Sequence, residues 1–338
     1  MRGKWMRQAK TLIGKRLSPL RRVCIAIATC LIIISCATAP LQPLRISCTV
    51  WLGYEPLLLA RDLGYFEDTP IQVLETTDHA ASIKRFTNGN VEMGTMTLDV
   101  TLENAAIQDQ IRAFLVMDIS NGADALISQP DIKQLSELKG KRVGIMPATL
   151  GKLVLTRALE AGGLIEDDVT LVTLDFSQHE AAFQAKEIDA LITYDPELSK
   201  LQAEGANLLF DSSQMPGEII DLLVGREDLV ATHEKQLSVL LEGWFKALDY
   251  IENNSDDAIA RIAEREGMTP EQVSRGLSQL EYPNLAENLA ILSQSDTTTI
   301  EGMNNLAQFL KTSQILETVV DPIQLLDERP LKTISSAN

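Results

Sequence analysis

Two turn-rich stretches, SNGA at residues 120–123 and SSQMPG at residues 212–217, decide how this chain divides. They enclose a block, residues 124–214, in which short apolar runs alternate with segments of helical period. Such alternation is typical of sheets covered by helices. Because ten strands would be many for one sheet, we expect two sheets, with the chain crossing out at the first stretch and returning at the second.

Apolar and β-branched runs predict the strands, and helix-period segments predict the helices between them. The strands are expected at residues 45–50, 71–75, 91–94, 113–118, 125–128, 142–146, 170–174, 190–193, 207–210 and 220–224. The helices are expected at residues 80–87, 98–108, 151–161 and 179–186. The alternation favours parallel sheets.

The pattern becomes helical after about residue 229. One apolar helix face carries Leu237, Leu240, Leu241, Trp244, Phe245, Leu248 and Ile251. Trp244 and Phe245 are possible ligand platforms, but their place on this stripe favours core packing. The fold class predicted is therefore α/β with two lobes and a helical C-terminal extension on lobe 1. Lobe 1 comprises residues 44–122 and 217–338, and lobe 2 comprises residues 123–216.

The N-terminus predicts export. The first 22 residues carry eight basic side chains and no acidic one, and residues 23–35 are uncharged. This apolar run is shorter than the roughly 20 residues that cross a bilayer, so residues 1–35 read as a secretory signal peptide. Residues 33–36, IISC, resemble the bacterial lipobox, whose cysteine, here Cys36, is diacylated and becomes the first mature residue. A buried cysteine ending a signal-anchor helix is the alternative; residues 36–43 are the expected tether.

Charge and cysteine content exclude several classes of function. The formal charge is −17, and removal of the eight signal cations takes it to about −25. So acidic a chain repels nucleic acid. Cys48 is the one cysteine left after processing, so no intramolecular disulfide is expected. Three histidines and one thiol are too few for a zinc or copper cluster, and no catalytic triad is legible. We expect no cofactor and no enzymatic activity.

Four segments resemble one known family. Residues 51–57 (WLGYEPL) followed by LGYF at 63–66 resemble the W-x-G-Y-x-P opening of the nitrate/sulfonate/taurine-type substrate-binding proteins of ABC transporters. Later matches in order are NGNVEMG at 88–94, LKGKRVG at 138–144, and IDA with YDP at 188–196. The superfamily also includes the pyrimidine-precursor binders and hydroxymethylpyrimidine synthase. The resemblance covers roughly residues 44–250.

The resemblance implies a periplasmic-binding-protein fold of type II that closes over a ligand by a hinge. Together with the lipid anchor predicted at Cys36, it leads us to expect an extracytoplasmic, membrane-anchored monomer whose partners are a small molecule, an ABC permease and its ATPase. A lipoprotein that senses a ligand for a membrane receptor would have the same fold and cleft. An enzyme like hydroxymethylpyrimidine synthase is disfavoured, because that enzyme relies on a cysteine-rich segment that this chain lacks.

The turns after the strands supply the candidate ligand contacts, because ligands of open α/β sheets lie beyond the strands' carboxyl ends. Several of these residues are equally suited to cap helices. From lobe 1 and the crossover we expect contacts from Trp51, Gly53, Tyr54, Thr77, Asp78, Thr97, Asp99, Asp118, Ser120 and Asn121; from lobe 2 we expect Thr149, Tyr194 and Asp195. The turns hold aspartates and few cations, which favours a nitrogen-containing or aromatic nutrient over a sulfonate.

Overall fold

The computed structural model describes residues 41–77 and 79–336. The predicted signal peptide, Cys36 and Asp78 lie outside the described residues. Within the described part of the chain, no helix combines the length and the apolarity needed to span a bilayer.

The first sheet has six strands. In spatial order they are β11 (Leu280–Glu281), β4 (Ile111–Ser120), β10 (Ile220–Arg226), β3 (Met93–Thr97), β1 (Leu44–Thr49) and β2 (Ile71–Thr76). β1 pairs in parallel with β2 and β3, whereas β10 is antiparallel to both β3 and β4. β10 runs against its neighbours because the chain leaves this sheet at the end of β4 and returns at the same edge.

The second sheet has five strands, all within the predicted inserted block. Their order is β7 (Thr170–Thr173), β6 (Arg142–Ile145), β8 (Ala190–Thr193), β5 (Ala125–Ser128) and β9 (Asn207–Asp211). β6 is parallel to β7 and β8, and β5 is antiparallel to β8 and β9. The expectation of parallel sheets holds for β1, β2 and β3 and for β6, β7 and β8, and it fails at β5 and β10, which run antiparallel to their neighbours. We retain the lobe boundaries at residues 44–122, 123–216 and 217–338 as a proposal.

The helices cover the sheets and form the C-terminal part. They are α1 (Glu55–Asp62), α2 (His79–Thr87), α3 (Leu98–Ala105), α4 (Thr149–Ala161), α5 (His179–Gln184), α6 (Glu197–Ala203), α7 (Leu229–Thr232), α8 (Glu234–Asn253), α9 (Ser255–Glu266), α10 (Pro270–Ser278), α11 (Leu285–Leu292), α12 (Thr297–Thr312) and α13 (Arg329–Ser335). The predicted helix at residues 98–108 ends earlier, at Ala105, and the two-residue strand β11 was not predicted because its pattern is too short.

The C-terminal helices pack on the first sheet's side of the molecule. α8 packs against α1, and Trp244 on α8 is 1% exposed, in the core. Arg265 on α9 forms an ion pair of 2.7 Å with Glu55, the fully buried first residue of α1. A buried carboxylate needs such a partner to offset its lost hydration. This ion pair holds α9 against α1.

The return crossing is packed too closely to accept an added methyl group. A Cβ built on Gly302 of α12 would lie 2.3 Å from the carbonyl carbon of Gly217. Gly217 itself has φ of 72°, a left-handed conformation that favours glycine. Because the obstructing atom belongs to the backbone, no rotamer change relieves the clash.

Gly302→Ala is expected to lower the free energy of unfolding by about 1–3 kcal/mol, the usual effect of overpacking. Urea denaturation followed by circular dichroism measures the change. The matched control is Asn304→Ala on the exposed face of α12, expected to stay within about 0.5 kcal/mol of the wild type. Equal stabilities for the two variants would contradict this packing.

Candidate functional site

The carboxyl ends of β1, β3 and β4 lie at one edge of the first sheet, where β10 begins. The carboxyl ends of β8 and β9 lie at the corresponding edge of the second sheet, opposite the start of β5. Both crossings join these two edges. The strand ends and the turns after them therefore converge on one region, which we take as the candidate site.

The first turn is built around an aspartate of the crossing strand. After β1, residues Leu52–Tyr54 form one 3₁₀ turn. The Trp51 indole Nε1–H donates to Asp118 Oδ2 at 3.3 Å. A Cβ on Gly53 would lie 1.8 Å from the same oxygen, so Asp118 approaches the turn closely only because residue 53 is glycine.

A second aspartate lies beside the first. Asp221 of β10 pairs directly with Asp118 of β4, and the two are 3% and 0% exposed. The Tyr54 hydroxyl, which is also buried, donates to Asp221 Oδ1. Asp118 Oδ1 is buried without a hydrogen-bond partner. The side chains of Asp118 and Asp221 lie within hydrogen-bonding reach of each other, so a proton held between the two acids or a donor from a ligand can satisfy this oxygen.

Burial and proximity raise the pKa values of these acids. Burial, followed by the charge of Asp221, holds the pKa of Asp118 well above its usual range. Burial raises the pKa of Asp221 to about 7 and that of Asp124 to about 6. Within the described part of the chain, no Arg or Lys is among the causes that shift these three pKa values. The three acids therefore lack a basic partner that would favour their ionised form.

Hydrogen bonds join the two crossing segments to each other; we call this junction the hinge region. Ser120 Oγ donates to Asp124 Oδ2 at 2.7 Å and lies 2.7 Å from Ser212 Oγ on the return crossing. The Gly122 N–H donates to Ser212 Oγ at 2.7 Å. Asn121 is exposed, and its Nδ2 donates to Glu281 at 2.7 Å. Ser120 and Asn121 thus bond within the hinge region.

Aromatic rings meet across the two lobes. Trp51 and Tyr194 contact edge to face, with ring centroids 5.6 Å apart. Phe176 stacks on Tyr194 at 4.5 Å and lies 5.3 Å from the His179 ring. These rings place a large apolar and polarisable surface beside Asp118.

The other predicted residues have local partners or lie apart. Thr97 pairs in register with Asp221 at the end of β3. Asp99 is buried at the start of α3, where burial raises its pKa. Thr149 Oγ1 donates to Glu103 at 2.8 Å, and Asp195 Oδ1 accepts the Ser199 N–H at 2.8 Å. Thr77 is exposed.

Three residues of the site were missed in the sequence. Beyond the effect of burial, Asp221 and Asp124 are close enough to Asp118 to raise its pKa, and Asp118 in turn raises the pKa of Tyr282, whose hydroxyl donates to the Leu52 carbonyl at 2.9 Å. The signal for Asp221 was present, since it is the one charged residue within IIDLLV at residues 219–224. An acid inside a buried strand requires a reason. Nothing in the sequence pairs Tyr282 with the first turn.

A surface groove of about 540 Å³ lies elsewhere, between α9 and α10. Its lining mixes charges of both signs, including Asp256, Glu271 and Arg275. All of these side chains are exposed. The strand ends, with buried and unpaired polar atoms, are the better candidate.

A family model described as NMT1/THI5 like matches residues 52–258, more than half of the chain. The chain belongs to the NMT1/THI5-like family. The resemblance predicted from the segments at residues 51–57 and 88–94 is confirmed, since the family shares its superfamily with the sulfonate and taurine binders.

Curated relatives and solved structures agree with this assignment. A putative binding protein of Brucella abortus is 26% identical over 141 residues, 40% of this chain and 44% of the relative, so the match spans less than half of that protein. The taurine-binding periplasmic protein of Escherichia coli is 25% identical over 250 residues, 71% of this chain and 75% of the relative.

Solved structures show the fold. The periplasmic aliphatic sulphonate binding protein SsuA of Escherichia coli superimposes with a TM-score of 0.71 at 19% identity, covering 86% of this chain and 92% of that one. The desulfurization enzyme DSZB gives 0.68 at 17% identity, covering 87% and 99%. The predicted two-lobed periplasmic-binding-protein fold is confirmed, and members of this fold include an enzyme.

The stability of the protein is expected to fall as pH rises from about 4 to about 7. The folded state keeps protons on Asp118 and Asp221 that the unfolded state has released, so each raised pKa costs up to about 1.4 kcal/mol per pH unit across this window. In Asp221→Asn the side-chain oxygen still accepts from Tyr54, and the decline should be shallower. Urea unfolding at several pH values measures it.

Asp131→Asn, an exposed site in lobe 2, is the matched control and should keep the wild-type slope. A slope in Asp221→Asn equal to that of the control would show that Asp221 titrates normally.

Proposed function

We propose that the chain is the extracytoplasmic, lipid-anchored solute-binding component of an ABC importer, and that it captures a small nitrogen-containing or aromatic nutrient. The observation that carries this proposal is the buried carboxylate pair, Asp118 and Asp221, between aromatic rings where the lobes meet. The family and the relatives support a binding role, and no chemistry on the ligand is proposed.

The charge of the site decides between ligand classes. A sulfonate or nitrate needs a cation or several converging N–H donors. The groups around Asp118 are instead carboxylates, tyrosines and one indole. An anion placed here would find no basic side chain among these groups, whereas a cationic ligand would favour the ionised form of the two carboxyl groups and pair with it. The nitrogen-containing ligand is therefore preferred, although named relatives bind taurine and aliphatic sulphonates.

Capture proceeds by opening and closing of the hinge. Trp51 and Tyr194 are in contact, so a ligand reaches Asp118 only when the lobes part. A ligand that contacts both lobes then stabilises the closed form through its greater affinity for that form. A change from 1:99 to 99:1 in favour of the closed form requires about 5.5 kcal/mol. The closed lobes, as a monomer, would dock on a permease whose ATPase drives import.

A ligand screen tests the binding role. Full-length protein is titrated by calorimetry with an aliphatic diamine, an aminopyrimidine, a flavin and a plain alkanesulfonate. A nitrogen-containing probe should bind, and Asp118→Asn should weaken a cationic probe at least about tenfold, because it removes the carboxyl group whose ionised form would pair with the cation. Asp131→Asn should bind like the wild type.

Two results would reject the proposed ligand class. One is a micromolar response to the alkanesulfonate with none to amines or pyrimidines. The other is unchanged affinity for a cationic probe in Asp118→Asn. Failure of every probe to bind would count against the binding role itself.

The lipid anchor has its own test. Acyl chains on Cys36 contribute about 0.8 kcal/mol per buried CH₂ to membrane affinity, so Cys36→Ser should release the protein from the membrane fraction. Ligand affinity should stay unchanged, because the tether is separate from the cleft. Fractionation followed by calorimetry checks both points. Loss of affinity in Cys36→Ser would contradict the role of residues 36–43 as a tether.

A further inference from the structure

The segment from α10 to Tyr282 lies beyond residue 258, where the family match ends. It nevertheless packs against the candidate site. A Cβ built on Gly276 of α10 would lie 2.3 Å from Leu52 Cδ1 and 3.4 Å from Asp195 Oδ2. α10 is therefore in contact both with the first turn of lobe 1 and with the end of β8 in lobe 2.

The same segment contacts the hinge. The Asn121 N–H donates to the Gln279 carbonyl at 2.9 Å, and the Gln279 side chain lies against Gly122. The Tyr282 hydroxyl donates to the Leu52 carbonyl at 2.9 Å. Residues 270–282 thus form a third wall of the site, next to the two lobes.

Three oxygens around this region are buried without a hydrogen-bond partner. They are Asp118 Oδ1 from lobe 1, Asp195 Oδ2 from lobe 2 and Gln279 Oε1 from the third wall. The Asp118 side chain is fully buried. Asp195 uses its other oxygen to cap α6 through the Ser199 N–H, so Oδ2 is available. Gln279 Oε1 and an ionised carboxylate oxygen are hydrogen-bond acceptors, and Asp118 joins them when a cation favours its ionised form.

We propose, building on the proposed binding function, that Asp195 and Gln279 are specificity-determining residues. Together with Asp118 they accept N–H groups from a planar, delocalised organic cation, a guanidinium or an amidinium. Such a cation presents several N–H donors in one plane, pairs with carboxylates and stacks on aromatic faces. Trp51 and Tyr194 are the rings on which such a cation would stack once the lobes part; in this structure they contact each other edge to face, and Phe176 covers one face of Tyr194. An alkylammonium offers no plane to stack, and a quaternary ammonium offers no N–H.

The experiment compares four probes on the full-length protein: methylguanidine, benzamidine, tetramethylammonium and methanesulfonate. Calorimetry gives the affinities. The wild type should bind methylguanidine or benzamidine and should bind tetramethylammonium and methanesulfonate at least about tenfold more weakly.

The variants separate the roles of the two residues. Asp195→Asn keeps the oxygen that caps α6 but loses the charge, and Gln279→Leu loses the acceptor. Each should weaken the planar cations about ten- to a hundredfold, the usual effect of losing a hydrogen bond to a charged group. Gln279→Glu should tighten them instead. Asp131→Asn is the control, and thermal unfolding confirms that all variants are folded.

Several outcomes would overturn the inference. Wild-type affinity for the planar cations in both Asp195→Asn and Gln279→Leu would show that neither residue selects the ligand. If Asp118→Asn alone loses cation binding, the proposed function stands and this inference fails. Preferential binding of tetramethylammonium or methanesulfonate by the wild type would exclude the planar cation. No binding of any of the four probes would also exclude it.

Discussion

Two carboxyl groups on neighbouring strands, Asp118 and Asp221, constrain the rest of this molecule. They are buried side by side at the point where the chain leaves the first sheet and returns to it. Burying two acids together is unfavourable, and the protein accommodates them by raising their pKa values and by surrounding them with hydroxyl and indole donors. Gly53 permits the close approach, and Tyr54 is held by Asp221. The first turn, the hinge and the third wall are all arranged around this pair.

The carboxyl pair also bears on the choice of ligand. Proteins with this fold include sulfonate binders and a desulfurization enzyme, so the fold alone does not name the guest. In the proposed function, the polar groups at the strand ends select the ligand. Acceptors dominate there, and the segment that adds Gln279 lies outside the part of the chain matched by the family model. We infer that a shared scaffold has acquired its selectivity from a few positions at its edges.

Much of the fold could be predicted from the sequence. Apolar runs located ten strands within a few residues, because buried strands have a strong local pattern. Strand direction was not predictable in this way, because the direction of β5 and β10 depends on where the crossings enter each sheet. In the site, turn chemistry identified Trp51, Tyr54 and Asp118, which the structure brings together. It could not identify Tyr282 or Gln279, whose proximity to the first turn depends on the packing of α10 more than 200 residues later.

The double crossing at the hinge has a mechanical consequence. β4 and β10 form an antiparallel ladder, interrupted by two register shifts within β10, and Ser120 and Ser212 join the two crossing segments just beyond it. Two strands bonded side by side form a ribbon that bends easily about an axis in its plane and resists shear between its strands. In the proposed binding cycle, the two lobes would therefore swing about this ribbon and would not slide past each other. A ligand would dissociate along the path by which it bound. Its residence time would depend on the stiffness of that ribbon as well as on the contacts between ligand and protein.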